Sequence, residues 1–381
     1  MINLSQLIEQ IEDEGGFDQS VNSPNLSYLS GATRLIGGEM LPERDVQSNS
    51  YIENNLRINN ARVAQDAGRY TPPQKDGGLQ MKSARITLSE QDVATSIPPE
   101  TAETLQELLN REQSPEAIAR TIGLFNSFIS EPLSLKREAM RMSWLVNGEI
   151  TVTGANGFQE TLSEDTSDLD SEREKQSSEA DFMAGNATNP ENVVKEIRER
   201  ANYLRDKGFP VSRIVMPHEV AQALVDNLAE TYGVKYLNNA DKSYSGQQIP
   251  QETLMLNLFS VIGLPEPIVS QGGYFNSAGQ FVDFFSDNSG NLQNKILFVG
   301  QTPRSIAQAS PSVQRSDIFP DAPQLGYTAI GKPTGRTSAG VASSVYVEGA
   351  NTKLSTVVME GWQTTHPVML EPSALAKLVL Q

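Results

Sequence analysis

One stretch, from Ser114 to Gly157, constrains the fold of this chain more than any other, because it holds the longest helical signal and ends in a hairpin. Ser114 suits the N-cap, Pro115 the first helical position and Glu116 the first turn. Apolar residues then recur at steps of three or four, at Ile118, Ile122, Phe125, Ile129, Leu135, Ala139, Met142 and Val146. This spacing predicts a long amphipathic helix over 114–147.

Three signals mark the interior and the end of this helix. Pro132 has no amide proton and crowds the preceding turn, so the helix must kink or restart there, and we favour a kink. Gly148 suits the left-handed position that ends a helix. The β-branched residues of 149–153 predict a strand that turns back at 155–157, whose sequence Ala-Asn-Gly suits positive backbone angles. Helix, glycine and hairpin therefore form one unit.

Composition excludes several classes of protein. The chain has 381 residues, of which 38% are hydrophobic and 20% charged, so it is long enough to bury more than one core and is globular in composition. The absence of cysteine excludes disulfides, thiolate metal sites, iron–sulfur clusters and a cysteine nucleophile. The start of the chain is acidic and amphipathic, and no apolar run is long enough to span a bilayer. We expect neither a membrane span nor a signal peptide, and a cytoplasm-like compartment.

The net charge of −17 argues against a nucleic-acid-binding protein, because phosphate contacts need clustered Lys and Arg, and no such cluster is present. An acidic wall suits a container that holds DNA without binding it, although many acidic enzymes have the same charge balance. Copies of this chain repel each other, so an assembly needs buried apolar area and is favoured by higher salt.

Four segments resemble one family in the order in which that family has them. Lys136 to Gly154, KREAMRMSWLVNGEITVTG, resembles the point in the major head proteins of lambda-like tailed phages where the spine helix ends and the first hairpin of the peripheral domain begins. PVSRIVMPHEVAQALVDN, followed by ILFVGQTP at 296–303, resembles the central domain of the same family. The ending HPVMLEP, 366–372, resembles the closing segment that returns to the peripheral domain.

The resemblance implies an α+β chain with the HK97-like phage capsid fold. It divides the sequence into an N-terminal arm over 1–50, an extended loop over 51–90, a peripheral domain over 91–190 with the spine helix at 114–147, a central axial domain over 191–335, and a return to the peripheral domain over 336–381. Within the central domain, local patterns predict helices over 190–207, 217–228 and 251–262, strands over 211–216, 268–270 and 295–300, and a hairpin of 273–275 with 280–282.

The arm and the loop are too poor in apolar residues to fold alone, so we expect neighbouring copies of the chain to hold them. A solvated loop and a disordered tail are the alternatives. Our candidates for contacts between subunits are Arg69, Tyr70, Lys75 and Lys82. Some relatives cross-link a loop lysine to a neighbouring asparagine. Neither Lys75 nor Lys82 matches a cross-linking motif, and we predict no covalent cross-link.

Enzyme and metal motifs are incomplete in this sequence. The acidic run 164–181 has the wrong spacing for a calcium loop. Gly326 to Pro333 nearly matches a phosphate-binding loop but has Pro333 in place of the Ser or Thr that holds magnesium, so we interpret it as a surface turn. Residues 335–340 lack the first glycine of a nucleophile elbow. His218 fits a capping role and His366 a structural one, and neither has a partner at metal-ligand spacing. We therefore predict no catalytic residue, cofactor or metal.

The resemblance implies a non-enzymatic major capsid protein that assembles into the hexamers and pentamers of an icosahedral head around double-stranded DNA. It also implies portal and scaffold proteins as partners, a decoration protein at three-fold positions as a further one, assembly in the bacterial cytoplasm and a final location in the virion. Two alternatives remain open: a bacterial nanocompartment shell of the encapsulin type, and a soluble acidic enzyme with an unrecognised site.

Overall fold

The computed structural model describes residues 35–57, 80–97, 115–153, 159–163, 171–228, 258–276, 279–301, 325–348 and 356–381. The helices are α1 (Ile36–Met40), α2 (Pro115–Asn147), α3 (Glu191–Asp206) and α4 (His218–Leu228), with a further helical segment at 258–261 and 3₁₀ turns at Ser171–Arg173 and Pro372–Ala374. The strands are β1 (Glu43–Asp45), β2 (Ser50–Arg57), β3 (Gln80–Thr87), β4 (Ser89–Ile97), β5 (Glu149–Thr153), β6 (Gln159–Ser163), β7 (Glu174–Gln176), β8 (Val211–Pro217), β9 (Pro267–Ser270), β10 (Gly273–Phe275), β11 (Phe281–Asp283), β12 (Lys295–Gly300), β13 (Gly326–Ile330), β14 (Val341–Glu348), β15 (Thr356–Met369) and β16 (Leu375–Val379).

The predicted long helix is α2, which runs for 33 residues. Pro132 lies inside it and does not end it. Gly148 follows with φ of 75°, and its amide donates to the carbonyl of Trp144 at 3.0 Å, so the glycine stop is confirmed. The next strand, β5, pairs antiparallel with β6. The predicted turn at 155–157 lies outside the described residues.

A first sheet is built around β15, the longest strand. Along one side β15 pairs with β14 and then β13, which in turn pairs with β1, and along the other side it pairs with β4. The spine helix α2 crosses this sheet, where the side-chain amide of Gln363 donates to the carbonyl of Leu133 at 2.9 Å. The buried side chains Ile129 and Leu133 meet the strand at Gly361.

A second sheet has the order β7-β16-β12-β8-β9. Every residue of its central strand β12 is buried, as the continuous apolar run of that strand predicts. One core packs α3 and α4 against the sheet through Ile197, Leu204 and Leu224. A second core, with Leu145 and Leu297, joins the end of α2 to the sheet.

The sheet pairing crosses the segment boundaries expected from the sequence. Strand β13, inside the expected axial segment 191–335, pairs with β15 of the first sheet. Strand β16, inside the expected peripheral segment 336–381, pairs with β12 of the second sheet. Each of these short strands finds its partner far along the chain, which no local pattern reports. The division into arm, loop and two domains stays a prediction.

The end of the expected arm packs on its own subunit. Ile36, Met40 and Leu41 are buried in the same core as Met142 and Leu145 of α2. The expectation that neighbouring copies order the whole of residues 1–50 is therefore wrong for 36–41, because α2 supplies the apolar surface that this segment lacks. Residues 1–34 lie outside the described part of the chain.

Candidate functional site

Three of the four sequence-predicted contact residues fall between β2 and β3, and the fourth lies on β3. Arg69, Tyr70 and Lys75 fall in 58–79, outside the described residues. Lys82 lies on β3, where its backbone is paired with Asn55 of β2. The structure thus places Lys82 on an ordered ribbon and does not test the contact role of any of the four.

The root of this ribbon is anchored on the first sheet. The hydroxyls of Tyr51 and Tyr327 are 2.8 Å apart, and the amide of Leu88 donates to the carbonyl of Asn49 at 2.9 Å. The Asn49 side chain also accepts from the Lys332 amide at 2.8 Å. Within the described residues β2 and β3 pair only with each other, and a two-stranded ribbon is marginal in isolation. The exposed side chain of Ile52 gives it an apolar spot that a neighbouring surface can cover.

A buried charge cluster, which we call the Glu138 clamp, fixes α1 to α2. The carboxylate of Glu138 accepts the amides of Gly37 at 2.5 Å and Gly38 at 3.1 Å. Burial raises the pKa of Glu138, against the opposing effect of these amides and of Arg141. Arg141 lies 3.5 Å from Glu138, pairs with Glu43 at 2.8 Å, and donates through Nε to the Thr328 hydroxyl at 2.7 Å. The clamp therefore fixes the position of α1 on α2.

Two lysines join the C-terminal end of α2 to the second sheet. Lys377 Nζ donates to the carbonyl of Val146 at 2.8 Å and Lys295 Nζ to the same oxygen at 3.3 Å. Both ammonium groups also face the carboxylate of Glu174, at 3.8 and 3.1 Å respectively. Positive charge at a helix C-terminus complements the helix dipole. These contacts help to fix the long helix relative to the sheet.

His366 is buried on β15, as the structural role expected for it requires. Its ring lies edge-on to Trp144, with centroids 5.7 Å apart. Its Nδ1 is buried and has no hydrogen-bond partner within the described residues. Burial lowers the pKa of His366 to about 4. The folded chain therefore holds this imidazole in its neutral form.

This lowered pKa predicts a loss of stability in acid. Between pH values of about 6.5 and 4, the unfolded chain binds a proton at His366 that the folded chain does not, so the folded state loses stability as the pH falls. Relative to His366→Phe, which keeps a ring beside Trp144, the wild-type free energy of unfolding should fall by up to about 3 kcal/mol from pH 7 to pH 4. Urea denaturation at several pH values measures this difference. Parallel pH profiles of the two proteins would contradict it.

The residues of the incomplete enzyme motifs lie in different environments in the described part of the chain. Residues 326–330, interpreted from the sequence as a surface turn, form the buried strand β13, so that interpretation is wrong. Ser338 is exposed in the connection between β13 and β14, His366 is buried, and His218 begins α4 half-buried. The capping role of His218 stays a prediction. No group of His, Asp and Glu with metal-binding geometry occurs among the described residues, and none of their helices is long and apolar enough to cross a membrane.

Sequence reasoning missed the charged residues that position the elements. Glu138 and Arg141 lie beside Ala139 and Met142 on the buried stripe of α2, and Lys377 lies inside the apolar ending of the chain. Charged residues within an apolar stripe are a usable signal, since they are rarely buried without partners. Their partners, Gly37 and Val146, lie too far along the chain to be read from the pattern.

Together these elements define a class: an α+β chain in which one long helix crosses a sheet and ends against a second, with a ribbon projecting from the first.

No protein-family model and no curated protein matches the sequence. Solved structures do match. A phage-related protein from Bordetella bronchiseptica RB50 aligns with a TM-score of 0.52 at 11% identity, over 95% of this chain and 96% of that one. A proposed capsid protein of a prophage from Escherichia coli CFT073 aligns with a TM-score of 0.54 at 11% identity, over 95% and 97%.

At this identity the agreement is one of fold, and it extends over nearly the whole of both chains. The chain has the HK97-like capsid fold, so the fold class implied by the resembling segments is confirmed.

Proposed function

We propose that this chain is the major capsid protein of a tailed bacteriophage, and that it assembles into the hexamers and pentamers of an icosahedral head around double-stranded DNA. The observation that carries the proposal is the whole-chain agreement with the prophage protein from E. coli CFT073, at a TM-score of 0.54.

The physical properties of the chain fit this role. A net charge of −17 gives a wall that holds DNA by confinement, since the wall lacks the clustered cations that displace counterions from phosphate. The same charge makes copies repel, so contacts between them must bury apolar surface, and assembly should improve as salt screens the repulsion. The β2–β3 ribbon and residues 1–34 are the segments that we propose extend onto neighbours.

The partners follow from the same proposal. Arg69, Tyr70, Lys75 and Lys82 contact an adjacent subunit. Portal and scaffold proteins take part in assembly, and a decoration protein occupies the three-fold positions. Assembly takes place in the bacterial cytoplasm, and the product is the virion head. No covalent cross-link joins the subunits, so assembled particles boiled in detergent should run as a single band at 41.6 kDa, and a ladder of multiples would refute that part.

Electron microscopy of the purified chain tests the proposal. Negative-stain images and light scattering across a range of protein and salt concentrations should show capsomers or closed shells, with more assembly at higher salt. A compact monomer of 41.6 kDa under every condition would overturn the proposal and favour the alternative of a soluble enzyme.

The content of shells produced with the whole phage operon distinguishes the two shell functions. Particles that contain DNA and carry a tail at one vertex support the phage head. Particles that contain only a protein cargo would overturn the phage proposal in favour of a nanocompartment.

A further inference from the structure

The hairpin of β10 and β11 presents two aromatic rings to solvent. Phe275 is 73% exposed and Phe281 is 56% exposed, which is unusual for side chains of this size in a folded chain. The two residues are directly paired across the hairpin, and their rings form an edge-to-face pair with centroids 5.7 Å apart. We call this pair of rings the aromatic knob.

The knob is preformed. At the turn, the side-chain oxygen of Asn276 accepts the Gln280 amide at 2.9 Å. A Cβ at Gly273 would lie 2.5 Å from the ring of Phe281, so this ring lies directly over the glycine. At its base, Tyr274 packs beside Phe284 in the core that joins α2 to the second sheet. An exposed pair of rings held this firmly loses little entropy when a partner covers it.

The charge around the knob selects its occupant. No residue of 271–282 is charged, whereas the whole chain carries −17. The charged residue of the two strands, Asp283, lies half-buried at the base of the hairpin, where its carboxylate accepts the Phe285 amide at 2.7 Å. A cationic partner is attracted to the acidic surface and not to the uncharged tip of this hairpin, and nucleic acid is repelled by the chain as a whole. The hairpin also lacks the Lys and Arg that hold an amphipathic element on anionic lipid. Two copies of this chain, in contrast, approach each other best where charge is absent and apolar surface is present.

We propose that the aromatic knob is an anchor of the contact between neighbouring copies of this chain, and that it inserts into the adjacent copy. This inference rests on the proposed function. Two phenylalanines bury a few hundred Å² at most, whereas a stable interface buries roughly 1,200–2,000 Å² in total. The knob is therefore one anchor within a larger contact and does not hold a dimer by itself.

Substitution of the knob tests its contribution to assembly. Phe275→Ser with Phe281→Ser should lower the yield of capsomers or shells by about tenfold or more at the wild-type assembly concentration, as expected for central apolar anchors. Phe275→Leu with Phe281→Leu keeps the apolar area and should assemble. Thermal unfolding of the unassembled chains should be nearly unchanged, because both rings are exposed. If the double serine variant unfolds early, Phe275→Ser alone, at the more exposed ring, takes its place.

Thiol labelling tests the location of the knob without disturbing the fold, since the chain has no cysteine of its own. In Phe275→Cys, reaction with a maleimide should slow by about tenfold or more on assembly, because a neighbour covers the site. The matched control is Lys195→Cys, at an exposed charged position of α3, which should react at a nearly constant rate.

The outcomes separate this inference from the proposed function. If the wild type assembles and the serine variant assembles equally well, or if Phe275→Cys reacts as fast in shells as in free chains, the knob is not a contact between copies. Knob-dependent sedimentation of the free chain with phosphatidylglycerol vesicles would assign the knob to a membrane instead. If the wild type itself never assembles, the proposed function fails and this inference fails with it.

Discussion

The Glu138→Ala variant is expected to lose about 3–5 kcal/mol of unfolding free energy, the range seen when one partner of a buried charge pair is removed. The substitution leaves the amides of Gly37 and Gly38 without their acceptor and the buried Arg141 guanidinium without one of its carboxylates. Such a loss is a large share of the stability of an ordinary domain. Equilibrium denaturation at neutral pH measures it.

Two further variants show whether the effect belongs to the Glu138 clamp. Glu131 lies half-buried on the same helix, so Glu131→Ala serves as the control and should change the unfolding free energy by less than about 0.5 kcal/mol. The loss of unfolding free energy in Glu138→Gln should lie between those of Glu138→Ala and Glu131→Ala. The glutamine amide keeps one oxygen to accept a backbone N–H but turns its NH₂ group, a donor, toward the other. Hydrogen exchange should speed up first at Gly37 and Gly38. Equal midpoints for Glu138→Ala and Glu131→Ala would show that the clamp contributes nothing.

The elements that the sequence predicted are those whose signals are local. Helix α2 has its cap residues, its apolar periodicity and its terminating Gly148 within one continuous stretch, and the observed helix Pro115–Asn147 matches the predicted 114–147 within a residue. Strand β12 is a short apolar run between polar residues, and it is buried throughout. The hairpin of β10 and β11 has a turn with Gly279 in the left-handed region. In each case the physics acts between residues a few positions apart.

The elements that were missed depend on partners far along the chain. Helix α1 has five residues and two glycines, too few for a periodic signal, and it is held by Glu138 about a hundred positions later. Strand β13 is fully buried and so shows no alternation, and its flanking glycine and proline favoured a turn. The same holds for the candidate contact surfaces. The sequence indicated the β2–β3 ribbon, whereas the exposure of Phe275 and Phe281 is visible only once the hairpin is placed.

Gly361 lies where the spine helix packs directly on the first sheet, and a larger residue there is expected to be poorly tolerated. It lies in the middle of β15, paired with Ser343 on one side and Val93 on the other, so the strand cannot move away without breaking two ladders. A Cβ at this position would lie 2.1 Å from Cγ2 of Ile129 and 3.5 Å from Leu133. Both of these side chains are buried, so they have no open space to enter.

The Gly361→Ala variant should therefore lose at least about 3 kcal/mol of unfolding free energy, at or beyond the upper end for overpacked cores, and Gly361→Val should lose more.

A double-mutant cycle with Ile129→Ala identifies the cause. Ile129→Ala alone removes a buried side chain and should lose about 2–5 kcal/mol, but it also removes the methyl group that the new Cβ would strike. The double variant should be more stable than the sum of the two single effects predicts, by at least about 1 kcal/mol, because the second substitution relieves the clash caused by the first. Additive effects would mean that the helix shifts away from the strand at little cost, and would contradict a sheet fixed against the spine helix at Gly361. Denaturation of the four proteins under one condition decides between these results.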